Sequence, residues 1–175
     1  MNPILIALES EITTALAGLD SHQTQATPSA HPEKWSIQQI ADHLLKTYAS
    51  TIPLLRGRVD KQTPTRTRAT LLQRFTQTLV LTFGRFPHGR RSPDSVAPSA
   101  SPTPLSGFEL AEKFRAHFAE LDAVATLAQA LFGKQRCATH QVLGPLSIHQ
   151  WCTFHLIHGR HHINQIREIR AKRQI

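Results

Sequence analysis

The fold this 175-residue sequence predicts is all-α: an antiparallel four-helix bundle with a proline-rich internal loop. Three observations carry it. Ser36 with Gln39, Ser106 with Glu109 and Ser147 with Gln150 each spell the Ser-x-x-Glu/Gln capping box that opens a helix. Apolar residues downstream of each box recur at helical spacing, and no alternating pattern competes for a sheet of three or more strands. At this length the chain supports one domain over 1–175 with a core that needs no staples.

Taken in order, Asn2-Pro3 is an N-cap residue followed by proline at the first helical position, so a first helix runs over about 3–19. A polar, proline-bearing connection leads to a second helix over about 37–58, with Ile37, Ile40, Leu44, Tyr48 and Leu55 on its buried stripe. A shorter helix is expected over about 68–83, where Leu72, Phe75, Leu79 and Phe83 keep helical spacing, with Gly84 ending it. Residues 85–105 hold five of the eleven prolines, which predicts an extended, flexible loop whose least ordered part is 86–104. Ala111, Phe114, Phe118, Leu121, Ala125 and Ala128 form the stripe of a helix over about 107–132, stopped by Gly133, with His117 beside it as a packing residue. The last helix spans about 148–172, its C-terminal end supplied with Arg167, Arg170, Lys172 and Arg173.

Charge and cysteine usage narrow the function classes. The net charge of +8 is uneven: nine basic and two acidic residues over 56–106 make the middle of the chain its basic part. Arg56, Arg58, Lys61, Arg66, Arg68, Arg74, Arg85, Arg90 and Arg91 lack the interleaved aromatics of a base-stacking surface, so a solvated basic face is favoured over nucleic-acid binding. Cys137 and Cys152 are too few for a disulfide framework and fit a reducing compartment, Cys152 as a core residue. The N-terminal apolar run has no basic region before it, and no stretch approaches the roughly 20 apolar residues of a membrane span. A cytoplasmic protein without membrane partners is expected. A homodimer stands among the expected assemblies, since bundles with exposed apolar helix faces commonly pair.

Candidate chemistry lies in the last helix. His158 and His162 are four residues apart, so their imidazoles stand one above the other on a single face. With about 100° per residue, Ile148, Trp151, Cys152, His155, Ile163, Ile166 and Ile169 share that face, whereas Arg160 and His161 point elsewhere. Imidazoles turned to the core need a polar partner, because an unsatisfied buried one costs about 1–3 kcal/mol. A divalent metal is one such partner and a neighbouring hydrogen bond is the other. His43 lies at the margin of the second helix's stripe, where it is either a ligand reaching between helices or a rim histidine. Spacing alone leaves both readings open.

The segment Trp35-Ser36-Ile37-Gln38-Gln39-Ile40-Ala41-Asp42-His43-Leu44 resembles the second helix of the DinB-like superfamily of four-helix bundles. The run His158-Gly159-Arg160-His161-His162-Ile163-Asn164-Gln165-Ile166 is similar to that family's closing helix, and His140 with Gly144-Pro145-Leu146-Ser147 resembles the loop before it. The likeness covers both ends of the chain and none of about 60–106. It implies that His43, His158 and His162 ligate a divalent metal, zinc or nickel, with open positions for water. It further implies a metal-dependent hydrolase or a thiol S-transferase, since characterised members use bacillithiol or related low-molecular-weight thiols, and one is a mycothiol-dependent isomerase. The substrate is then a small molecule. Where the family more usually opens that loop with His-Pro, this chain has His140-Gln141, which argues against a role for His140. Asp42 is either a group that supports the ligands or a surface carboxylate. The alternative to the enzyme is a binding or interaction bundle whose histidines only pack or hydrogen-bond.

Overall fold

A computed structural model of the chain describes residues 1–85, 92–100 and 103–175. Four long helices carry the fold: α1 (Pro3–Leu16), α2 (Ile37–Asp60), α4 (Gly107–Phe132) and α5 (Ile148–Arg173). A short α3 (Leu71–Gln77) and a hairpin of β1 (Ala138–His140) and β2 (Gly144–Leu146) fill one flank. α2 packs mainly on α4, and α1 on α5 and α4. The narrower seam between α2 and α5 is where the histidines meet.

The helix starts follow from local chemistry. Asn2 accepts the Ile4 amide at 2.9 Å, and the boxes at Ser36, Ser106 and Ser147 are formed in both directions. Leu5, Leu8 and Leu16 of α1, Ile37, Leu44 and Leu55 of α2, Phe114 and Phe118 of α4, and Ile163 and Ile166 of α5 close into one core. Gly159 lets the helices approach: a Cβ there would lie 2.4 Å from Leu8 Cδ1 and 3.0 Å from the Tyr48 hydroxyl. Because it sits between His158 and His162, it brings α2 close enough for His43 to reach across.

Three expectations need correction. The first helix stops at Leu16 rather than residue 19, because the chain turns out at Ala17. α3 begins at Leu71, not 68, since Thr70 and Gln73 form a further capping box, and after Gln77 the backbone widens into a π-helical turn over Thr78–Thr82. Its apolar stripe does not face the core: Leu72 is 70%, Phe75 67% and Phe83 66% exposed, while Thr76, Gln77 and Val80 are buried. The reason is Gln77, whose amide donates to the carbonyls of Leu143 at 2.6 Å and Pro145 at 3.3 Å and thereby turns the polar face onto the hairpin.

Residues 86–91 and 101–102 of the expected flexible loop lie outside the described residues. The stretch 92–100 is tied to α2 by hydrogen bonds. Asp94–Val96 makes a 3₁₀ turn. Lys46 donates to the Ala97 carbonyl at 2.9 Å, and the Ser99 amide to Asp42 Oδ2 at 2.8 Å. Among the described residues no helix is long and apolar enough to cross a membrane.

Candidate metal centre

His43, from the second turn of α2, and His158 and His162, from adjacent turns of α5, converge at the seam between those helices. Their ligand-capable nitrogens all lie within 4.8 Å of one another. The Nε2 atom of His158 is 3.3 Å from Nε2 of His43 and 3.1 Å from Nε2 of His162. Nitrogens about 2.0–2.1 Å from one tetrahedral ion stand about 3.3–3.4 Å apart, so the spacing suits a shared cation.

The rings are aimed from behind. His43 Nδ1 donates to the Val96 carbonyl at 2.8 Å, and His162 Nδ1 donates to Gln165 Oε1 at 2.8 Å. A neutral imidazole carries one proton, so both rings present an Nε2 lone pair inward. His158 Nε2 has at most one proton to give, and it faces both lone pairs. At most one of the two nitrogen contacts therefore holds a proton, and the other brings two nitrogens together with none between them. A cation among the three nitrogens removes that conflict, and the donor set fits one.

Electrostatics favour the ligating form. His43 and His162 are only 4% and 8% exposed. Burial lowers the His43 pKa, and burial with the neighbouring imidazoles of His43 and His161 takes that of His162 down to about 3. Burial, then His162 and His43, hold His158 well below the ordinary histidine range. Each shift favours the neutral form, which is the form that ligates. Trp35 forms one wall, its ring 5.1 Å from that of His43 and 6.3 Å from that of His162. Trp35 and Gln165 also line a cavity of about 430 Å³.

The remaining candidates do other work. His161 is exposed on another face, as its helical angle required. His140 stays out of the cluster: its Nδ1 accepts the Val142 and Leu143 amides at 3.0 and 3.1 Å, and burial takes its pKa down to about 4. It holds the hairpin turn. Asp42 contacts no ring nitrogen but pairs with Lys46 at 2.9 Å and holds Ser99. In that way it pins the stretch whose Val96 carbonyl orients His43. His117 Nδ1 bonds the Lys113 carbonyl of its own helix, and Cys137 and Cys152 are both buried and free.

Two orienting groups escaped the sequence. Gln165 had a legible signal, a polar side chain one turn beyond His162 on the same helix. Val96 had none, because its contribution is a main-chain carbonyl placed by a loop.

The model of the DinB superfamily matches residues 5–166. The chain belongs to the DinB superfamily. Beyond the family model, this DinB protein is 28% identical over 163 residues to the uncharacterized protein YuaE of Bacillus subtilis (strain 168), covering 93% of this chain and 92% of that one. No solved structure matches the chain. The family match spans α1 through most of α5, so the bundle and the three-histidine cluster both lie within it.

Proposed function

We propose that His43, His158 and His162 hold a divalent metal, zinc or nickel, and that the protein is a metal-dependent enzyme acting on a small molecule through an activated water or low-molecular-weight thiol. One observation carries the reading: three Nε2 atoms converge, and two of them are fixed as lone-pair donors by Val96 and Gln165. Such an ion, when bound, supplies Lewis acidity that lowers the pKa of a coordinated water or thiol toward neutrality. The chain's own residues do the rest. Val96 and Gln165 hold the ring tautomers, Asp42 and Lys46 hold the stretch bearing Val96, and Trp35 screens the rings from bulk water. The substrate position we assign is the cavity of about 430 Å³ lined by Trp35 and Gln165; none of the three histidines lines it, and Trp35 and Gln165 stand between it and His43 and His162.

The test is elemental analysis of protein purified without a histidine tag, where about one zinc or nickel per chain is expected. Protein that neither carries nor takes up either ion overturns the reading and leaves the interaction bundle in its place. With metal in hand, turnover of a reactive electrophile that requires added thiol marks a transferase. Turnover without thiol marks a hydrolase.

A further inference from the structure

We infer that the flank formed by α3 and the β-hairpin is a second binding site, for a small phosphate-bearing polyanion, independent of the histidine cluster. A cavity of about 720 Å³ opens there, within the range of small-molecule sites. Arg68 from the segment before α3, Arg74 from α3 and Arg136 from the segment before β1 all line it, with Thr67, Thr82 and Gln150 among the polar side chains between them. Among the described residues no carboxylate lines it.

The charge around it is uncompensated over a long reach of chain. No Asp or Glu occurs between Asp60 and Asp94, nor between Asp122 and Glu168, and these two stretches supply the whole lining. Arginines elsewhere find carboxylates: Arg160 meets Glu11 at 2.6 Å and Arg56 meets Glu120 at 3.2 Å. Among the described residues, Arg68, Arg74 and Arg136 form no ion pair. Arg136 is nonetheless held in place, donating to the Gln150 side chain. Three cations around one concavity focus positive potential into it. The planar guanidinium fork matches phosphate oxygens in pairs, a geometry a solvated basic face has no need of. Convergence on one cavity, rather than alignment along a face, favours a compact ligand over a polymer.

The experiment titrates fructose 1,6-bisphosphate into the full-length protein as purified, by calorimetry in low-salt, phosphate-free buffer. Binding is expected, weakening as sodium chloride is added. Arg68→Ala and Arg74→Ala should each weaken it about tenfold, the scale of one lost charge-assisted hydrogen bond. Arg74→Lys should fall between Arg74→Ala and the parent protein. Arg115→Ala, which removes the same charge from α4, should leave affinity within about twofold. Arg68 and Arg74 are exposed, so their variants should fold, which circular dichroism checks. Absence of binding at millimolar bisphosphate overturns the proposal. So does an equal loss in Arg115→Ala, which would mean diffuse charge alone. Tighter binding of duplex DNA, weakened as much by Arg66→Ala and Arg85→Ala as by the cavity variants, would replace the pocket with an extended polyanion surface.

Discussion

The seam between α2 and α5 and the flank of α3 and the hairpin handle polar chemistry in opposite ways. At the seam, polar rings are largely buried, shifted toward the neutral form and aimed at one another from two helices. On the flank, arginines are exposed, charged and set around an open cavity, while apolar side chains of α3 face water. The contrast shows two routes to a binding site. Burial depresses proton affinity and fixes tautomers at a price in desolvation, whereas an acid-free stretch of chain raises positive potential without burying anything.

The comparison breaks most visibly at the histidines. Alanine at any one of His43, His158 and His162 should remove most of the bound metal, while His161→Ala should retain it, since that ring lies on another face of α5. Elemental analysis of the four variants decides. Equal loss in His161→Ala and His158→Ala would place the metal elsewhere.

Acid should strike the buried side next. Burial takes His155 down to about 3 and His140 to about 4, from an ordinary value of 6.5. Both are held neutral in the fold and pick up a proton once unfolded. The unfolded chain therefore binds more protons as pH falls below about 6.5, so the stability these rings contribute is intact above that pH. It declines by about 1.4 kcal/mol per pH unit for each ring until the folded pKa is reached. Urea unfolding of the metal-free protein between pH 7 and pH 4 measures this. A flat profile would mean the rings are hydrated in solution.

How much of this was legible depends on which force set each element. The capping boxes at Ser36, Ser106 and Ser147 are local chemistry, and they marked the starts of three helices. The facing of α5 was legible because its apolar stripe is buried as its period requires, down to the different directions of His161 and His162. α3 defeated the same reasoning. Its stripe of Leu72, Phe75 and Phe83 has helical spacing, but hydrogen bonds from Gln77 to a hairpin some 66 residues away decide which face turns inward. His43 fell between these cases: its angle placed it at a margin, and the packing of α5 across α2 makes it a buried member of the cluster.

Gly159 sharpens that point. A Cβ at this position meets Leu8 Cδ1 and the Tyr48 hydroxyl inside normal contact distance, so Gly159→Ala should cost about 1–3 kcal/mol through overpacking, net of alanine's better helix propensity. It should also weaken metal binding by moving α5 away from α2. A stabilised Gly159→Ala protein with unchanged metal affinity would show that the seam has slack. Tyr48 tests the same core from the other side. Among the described residues its buried hydroxyl has no hydrogen-bond partner, and neither do the ring nitrogens of the adjoining His155. Tyr48→Phe should therefore raise stability by about 1 kcal/mol, because it deletes a desolvated hydroxyl and leaves no new orphan. A fall in melting temperature would reveal a partner for that oxygen.

The smallest expected effect lies on the flank, and it tests whether the outward face of α3 is as open as it stands. Phe75 is 67% exposed and Leu72 70% exposed. Little apolar surface is removed from water at either side chain, so Phe75→Ser and Leu72→Ser should each change unfolding free energy by no more than about 0.5 kcal/mol, the scale of ordinary surface substitutions. The measurement should be made at two protein concentrations. A second copy of the chain docked on this face would bury the stripe, make stability rise with concentration, and make Phe75→Ser costly only in the concentrated sample. Repulsion between two acid-free basic flanks opposes that arrangement. A cost of 2 kcal/mol or more at both concentrations, on the scale of about 2–5 kcal/mol for truncating a core side chain, would instead place Phe75 in the core and restore the inward-facing stripe that its spacing predicts.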